Sequence, residues 1–438
     1  MTPTSPPWRE QIAQLHRWFR RGLGSTLGRN ILSLYVIQFA NYVVPLIMVP
    51  YLVRVLGPTG YGAVAFAQGF INYLMLFVEY GFELSATRRI SVVRDDPVAV
   101  NRVAMHVWAA KGLLSLAGLI VLVVLSFAVP KLHEVAVLLF ALYGLVLGNV
   151  LFPTWLFQGM ERMVAISLIN LGMKLGILVG VFLLVKQSED SVVYAGLLGG
   201  GSLLAGLTGA FVGFQMFGLR LRRFSARGVL EVLKEGWTLF LSKASVSLYT
   251  VGNAFILGIL TNHTAVGYYS AGEKTVKSAL GLLGPIAQAT FPRFSKIAVE
   301  SRKKALLWGR RMLIMIGSVS LLLSIGILVG APVIVTLLFG SEFESSVTVI
   351  RILAFLPFFI ALSNVLGIQL MIPLGRDRAF MLTLLGAGIL NIVFAFIFAP
   401  LWQEAGMALA VFISELFVTV TMFVYMEKRG LSVIGGAV

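Results

Sequence analysis

Gln68, Asn72, Glu79 and Glu83 interrupt an otherwise apolar run. On a helix turning about 100° per residue they fall within about 60° of one another. A second run carries Glu273 and Lys277, then Gly284 and Gln288, at the same angular spread. Gln38, Tyr42 and Pro45 mark a face of an earlier run, and Lys243, Ser247 and Thr250 mark the corresponding face of a later one. Such side chains can pair with an ionic cargo, hydrogen-bond a hydrated one, or take up and release a small cation. Bond-breaking chemistry has no comparable footing. Cys is absent and the four His are scattered, so the chain offers no disulfide framework, thiolate site or metal-ligand pair. It also lacks the glycine-rich nucleotide loop, the GxSxG elbow and the HExxH helix, which argues against direct ATP drive and against the matching hydrolases. The expectation is a protein that is not an enzyme and holds no metal or resident cofactor.

The elements that position these residues are set by composition. The 438 residues are 58% hydrophobic and 12% charged, with a mean hydropathy of +0.91. That much apolar surface needs lipid as solvent, and in hydrocarbon the backbone must satisfy its own hydrogen bonds. The runs are too long for barrel strands, so the fold class is all-α: a polytopic membrane protein of about 12 transmembrane helices. Spans are expected near 31–53, 62–84, 107–129, 134–156, 164–186, 193–217, 237–260, 266–291, 312–337, 348–371, 379–400 and 404–426. A charge facing lipid at mid-bilayer costs about 2.5–3.5 kcal/mol even on the lenient insertion scale, so the polar stripes should face a wet cleft or each other. Helix-to-helix gluing is the alternative use of such stripes, and Glu273 with Lys277 at i,i+4 could simply neutralise itself.

With the N-terminus inside, 26 of the 35 Lys and Arg fall on one side of these spans, and only Arg54, Lys131 and Lys186 on the other. The positive-inside rule then places both termini in the cytoplasm. The net charge of +16 is largely this topological bias, so no nucleic-acid partner is expected. Residues 1–30 carry Trp8, Ile12, Leu15, Phe19 and Leu23 with Arg between them, the pattern of a surface-lying amphipathic arm.

Sliding the chain by 205 residues superposes its halves. Gln38 meets Lys243, Gly62 meets Gly267, Gln68 meets Glu273 and Asn72 meets Lys277. Six spans per half give equal topology, hence two pseudo-symmetric six-helix lobes around a central cavity. The expected organisation is a cytoplasmic arm 1–30, an N-lobe 31–217, a basic linker 218–236, a C-lobe 237–426 and a cytoplasmic tail 427–438. Lys111 either snorkels to the interface or faces inward. Lys174 is either functional or set in close helix packing by Gly172, Gly176 and Gly180. Pro45, Pro50, Pro285, Pro292, Pro357 and Pro373 are candidate bend points.

Several runs also carry a resemblance. YLVRVLGPTGYGAVAFAQG (51–69), EYGFELSATRRI (79–90), RDDP (94–97), PTWLFQGMER (153–162), LFLSKASVSLYTVGN (239–253), GYYSAGEK (267–274), GPIAQATFPR (284–293) and LGRDRAF (374–380) resemble Wzx-type O-antigen flippases. These belong to the multidrug/oligosaccharidyl-lipid/polysaccharide exporter superfamily. The resemblance implies a V-shaped pair of lobes whose first, second, seventh and eighth helices line the cavity. It also implies that the cargo is an undecaprenyl-pyrophosphate-linked oligosaccharide, moved from the cytoplasmic to the outer leaflet of the bacterial inner membrane by alternating access. Lys243, Lys274 and Lys277 fall in the motifs expected to hold the pyrophosphate, and Arg88 and Arg89 lie at the cytoplasmic mouth. Gln38, Asn41, Tyr42, Gln68, Asn72 and Asn253 are then the expected sugar ligands. Glu79, Glu83 and Glu273 would balance charge or bind a coupling Na+ or H+. A polysaccharide polymerase or chain-length machinery is the protein partner the resemblance suggests. The alternative on the same scaffold is a cation-coupled drug or metabolite exporter, for which an acidic, aromatic cavity is expected in place of lysines.

Overall fold

A computed structural model of the chain describes the backbone of residues 26–281, 294, 297 and 300–431. Side chains are described from residue 44 onward within these segments, apart from 242, 245, 246, 248 and 249. Among the described residues there are helices and no strands. Eight segments are long and apolar enough to cross a membrane. The chain is a multi-pass, all-helical membrane protein.

The first helix, α1 (Thr26–Glu79), is 54 residues long and breaks at Gly57, whose φ of 66° and ψ of 176° lie outside the helical region. Unbroken, it would extend about 81 Å at 1.5 Å per residue, far beyond a hydrocarbon core of about 30 Å. A glycine adopts the left-handed φ without strain, and Pro58 restarts the helix where its missing N–H costs nothing. The expected loop between residues 53 and 62 is therefore a one-residue turn. Pro45 and Pro50 lie inside α1 without a break.

Then follow α2 (Phe82–Val93), α3 (Pro97–Ala128), α4 (Ala136–Leu151), α5 (Thr154–Gly159), α6 (Met163–Leu184) and α7 (Ser191–Phe217). Helix α4 crosses α7 at glycine: a Cβ on Gly144 would stand 2.5 Å from the Gly199 carbonyl oxygen. Small residues of this kind let membrane helices approach backbone to backbone. Helix α8 (Ala226–Thr250) begins inside the segment expected as a linker. It ends at Val251–Gly252, where α9 (Asn253–Leu260) resumes the expected seventh span. Helix α10 (His263–Gly281) carries Glu273, Lys274 and Lys277. The described part of α8 to α10 falls outside the eight apolar segments, and the charges on α8 and α10 explain why.

The remainder is α11 (Arg302–Leu338), α12 (Ser345–Leu353), α13 (Leu356–Asn364), a π-helix (Val365–Met371) and α14 (Asp377–Lys428). Helix α14 is broken at Gln403 (φ 48°, ψ −123°), inside the expected gap between the last two spans. The offset of 205 recurs in local structure. Asp96 caps α3 by accepting from the N–H groups of Val98 and Ala99, and Ser301, 205 residues on, caps α11 by accepting from that of Lys304. Both caps satisfy amide donors that a helix start leaves open.

Candidate functional site

The two halves of the chain meet along α1, α2, α8 and α10. At one end of this meeting the contact is tight. Thr59 and Thr264 share a hydroxyl hydrogen bond of 2.9 Å, and they too are 205 residues apart. A Cβ on Gly62 would collide with the His263 carbonyl, and one on Gly267 would collide with that of Pro58. Two of the three cations expected on the sparsely charged side of the membrane serve this seal, while Lys186 donates to the Phe182 carbonyl at the end of α6. Arg54 donates to the Leu338 carbonyl at 3.0 Å and also to that of Leu337. Lys131 donates to the Thr261 carbonyl. His263 lies 3.3 Å from the Glu134 carboxylate.

Toward the other end the halves are joined by ion pairs. Lys243 of α8 lies 2.6 Å from Glu79 and 3.1 Å from Glu83. Arg89 of α2 lies 3.2 Å from Glu235 and 3.8 Å from Glu231. Arg88 is exposed beside it. The polar stripe expected on one continuous helix is corrected here, because α1 ends at Glu79 and Glu83 stands in the first turn of α2. Tyr80 (φ 47°) and Gly81 (φ 77°) turn the chain between them. Gly81 is pressed on α8, so that a Cβ would stand 2.8 Å from the Leu239 Cβ. Both carboxylates still reach the same ammonium group.

On α10, Glu273 lies 3.0 Å from Lys277 and accepts a 2.9 Å hydrogen bond from the Tyr269 hydroxyl. Lys277 also donates at 3.1 Å to the carbonyl of Thr250, one of the acceptors exposed where α8 stops. The i,i+4 neutralisation is thus present, together with a second task at the α8 break. Lys274 differs. Its ammonium group lies 5.1 Å from the centre of the Tyr61 ring, across the meeting of the halves, and it has no carboxylate partner among the described residues. It lines an apolar cavity of about 290 Å³ with Pro45, Val49, Pro50, Ser278 and Leu338. Gln68 and Asn72 are half-buried on α1, and Asn253 is buried at the start of α9 and hydrogen-bonds Tyr269. The side chains of Gln38, Asn41 and Tyr42, and residues 284 and 288, lie outside the described residues.

Sequence reasoning left the role of Lys111 open. It is 3% exposed and donates to the Asn149 carbonyl at 2.6 Å. It therefore points inward and does not snorkel. With Glu79, Glu83, Asn149 and Asn170 it lines a cavity of about 270 Å³. The signal was available, since two carboxylates at one membrane depth call for more than one cation. Lys111→Leu removes the donor from a buried carbonyl, a loss of about 1–3 kcal/mol. A lower unfolding temperature in detergent, followed by tryptophan fluorescence, is the expected result. Gly172 and Gly176 do not serve tight packing, because a Cβ on either meets nothing within 4 Å; they line an apolar furrow between α6 and α7.

The sequence profile of the family described as polysaccharide biosynthesis protein matches residues 27–298. The chain belongs to that family. A relative from Escherichia coli (strain K12) named "Putative O-antigen transporter" is 33% identical over 93% of this chain and 98% of its own length. One of the same name from Shigella dysenteriae is 28% identical over 90% and 98%. Among solved structures, "Lipid II flippase MurJ, inward closed conformation" superposes with a TM-score of 0.71 at 16% identity, covering 91% of this chain and 87% of that one. An inward-facing multidrug resistance MATE family transporter of the MOP superfamily gives 0.67 at 14% identity, over 93% and 100%. These likenesses give the polysaccharide biosynthesis family member the fold of that superfamily.

Proposed function

We propose that this family member is a flippase that carries an undecaprenyl-pyrophosphate-linked oligosaccharide across the inner membrane, from the cytoplasmic to the outer leaflet, by alternating access. In this reading twelve helices form two six-helix lobes, 31–217 and 237–426, with both termini cytoplasmic. The sealed end at Thr59 and Thr264 is the periplasmic one. The names of the full-length relatives support the cargo class.

The observation that carries the reading is the charge arrangement where the lobes meet. Three lysines, Lys243, Lys274 and Lys277, are set against three glutamates, Glu79, Glu83 and Glu273, and Lys274 alone of the three lysines has no described carboxylate. A diphosphate can bind Lys274, beside the apolar cavity at Pro45 and Pro50, without displacing a described carboxylate, while its polyprenyl tail stays in hydrocarbon. For Lys277 and Lys243 it competes with the glutamates. Gln68, Asn72 and Asn253, with Gln38, Asn41 and Tyr42, supply hydrogen-bonding groups for a glycan. Arg88 and Arg89 add positive potential at the mouth. Displaced carboxylates are then free to take a coupling Na+ or H+. Exchange of partners keeps each charge within the membrane compensated.

The test is the double substitution Lys243→Ala with Lys277→Ala in a strain lacking the chromosomal copy. Surface O-antigen is expected to vanish while the protein remains in the membrane at normal level. Full surface glycan would remove the assignment. A deletion strain with altered drug sensitivity and intact glycan would favour the cation-coupled exporter instead.

A further inference from the structure

Arg310 has no hydrogen-bond or ion-pair partner among the described residues. It lies eight residues into α11, about 12 Å from its first residue, and is exposed. It stands at a groove of about 460 Å³ whose walls include Leu313 and Ile314 of α11, Leu362 of α13, Leu366 of the π-helix and Phe423 of α14. Thr419 also lines it, but its hydroxyl is engaged with the carbonyls of Phe359 and Glu415, both at 3.0 Å. The groove is an apolar trough with one cation.

The first half of the chain shows what a closed version looks like. Counted from the equivalent caps Asp96 and Ser301, Leu313 corresponds to Trp108 and Arg310 to Met105. The Trp108 ring stacks on Phe214 at 5.2 Å and meets Trp155 edge-on at 5.7 Å, and its indole N–H donates to the Leu151 carbonyl at 3.3 Å. There an aromatic cluster occupies the helix crevice and Met105 is buried. In the second half a smaller leucine stands in the place of the indole and a guanidinium in the place of the thioether.

We propose that this groove binds one anionic glycerophospholipid, with an acyl chain in the trough and the phosphate on Arg310. Charge complementarity names the occupant. Arg302 donates to the carbonyls of Arg429 and Gly430, bringing the exposed Lys303 and Lys304 to the same end of the molecule as Lys428. A basic pocket between membrane helices is an established form of anionic headgroup site. The cargo is not the occupant, because the groove belongs to α11, α13 and α14, whereas Lys243, Lys274 and Lys277 stand on α8 and α10, which contribute nothing to its walls. Only the assignment of leaflet, cytoplasmic, rests on the proposed topology; the lipid site does not depend on what the carrier moves.

The experiment uses the purified full chain, delipidated in detergent, with phosphatidylglycerol or phosphatidylcholine added. Bound lipid is counted by native mass spectrometry and the unfolding midpoint is recorded. Wild type is expected to prefer phosphatidylglycerol about five-fold, the fold-change that matches about 1 kcal/mol for one arginine at an anionic surface. Arg310→Gln should bring that preference close to unity, while Arg222→Gln leaves it in place. Leu313→Trp, which puts in the trough the residue that Trp108 is in the other half, should reduce binding of both lipids. Equal binding of the two lipids by wild type, or an undiminished preference in Arg310→Gln, overturns the proposal. So does preferential binding of undecaprenyl phosphate that Arg310→Gln abolishes, because the occupant would then be the cargo. Loss of transport in the lysine double variant has no bearing on these readings.

Discussion

Replacing Lys274 by alanine is expected to lower surface O-antigen roughly 10- to 100-fold, with the protein still present in the membrane. Lys243 and Lys277 are already neutralised by glutamates, so an incoming anion must displace a partner to reach them. Among the described residues Lys274 is held by the face of Tyr61, an interaction worth about 0.5–2 kcal/mol that a phosphate can outbid. A charge-assisted hydrogen bond contributes about 1.5–3 kcal/mol, and each 1.4 kcal/mol is about ten-fold. Lys274→Arg keeps the charge and should retain most of the activity, whereas Lys274→Glu should behave at least as severely as alanine. Lipopolysaccharide gels on a complemented deletion strain, with immunoblots of the membrane fraction, measure the outcome. Normal glycan in Lys274→Ala would take the leading role away from this residue.

The second large effect concerns the sealed end. The chain has no cysteine, so Thr59→Cys with Thr264→Cys introduces the only two thiols. The hydroxyl oxygens they replace are 2.9 Å apart, a separation that suits a side-chain bridge between these helices. Oxidation should link them, hold the outer end shut and stop flipping almost completely, and a reductant should restore it. Each single cysteine variant should remain active under both conditions. The bridge can be read directly from a mobility shift after cleavage between the halves. Undiminished transport by fully bridged protein would mean that this end never opens.

Much of this was legible from the amino acids. Apolar run length announces a membrane helix because the bilayer has a fixed thickness, and the offset of 205 residues survives in Thr59 with Thr264 and in Asp96 with Ser301. What escaped was set by geometry between elements. The turn at Tyr80–Gly81 exists because Gly81 is pressed on α8, and nothing local in the sequence reports that contact. Gly57 with Pro58 collapses an expected loop to a single residue, since one left-handed glycine suffices to redirect a helix that proline then restarts. Lys111 was ambiguous because distance from a span end does not say whether a side chain bends to the interface or to a neighbouring carbonyl. Gly172 and Gly176 carry the spacing of a packing motif, yet they border open space.

The pairing of Thr59 with Thr264 has a historical consequence. A residue touching its own counterpart is what arises at a dyad between identical chains. Two separate copies of a half-length ancestor could therefore have made this closure unaided, before any duplication joined them. Away from the latch the counterparts are unlike, Gln68 matching Glu273 and Asn72 matching Lys277. Such differences require two distinct half-sequences, so the latch is the part of the machine that a pair of identical halves could already have formed.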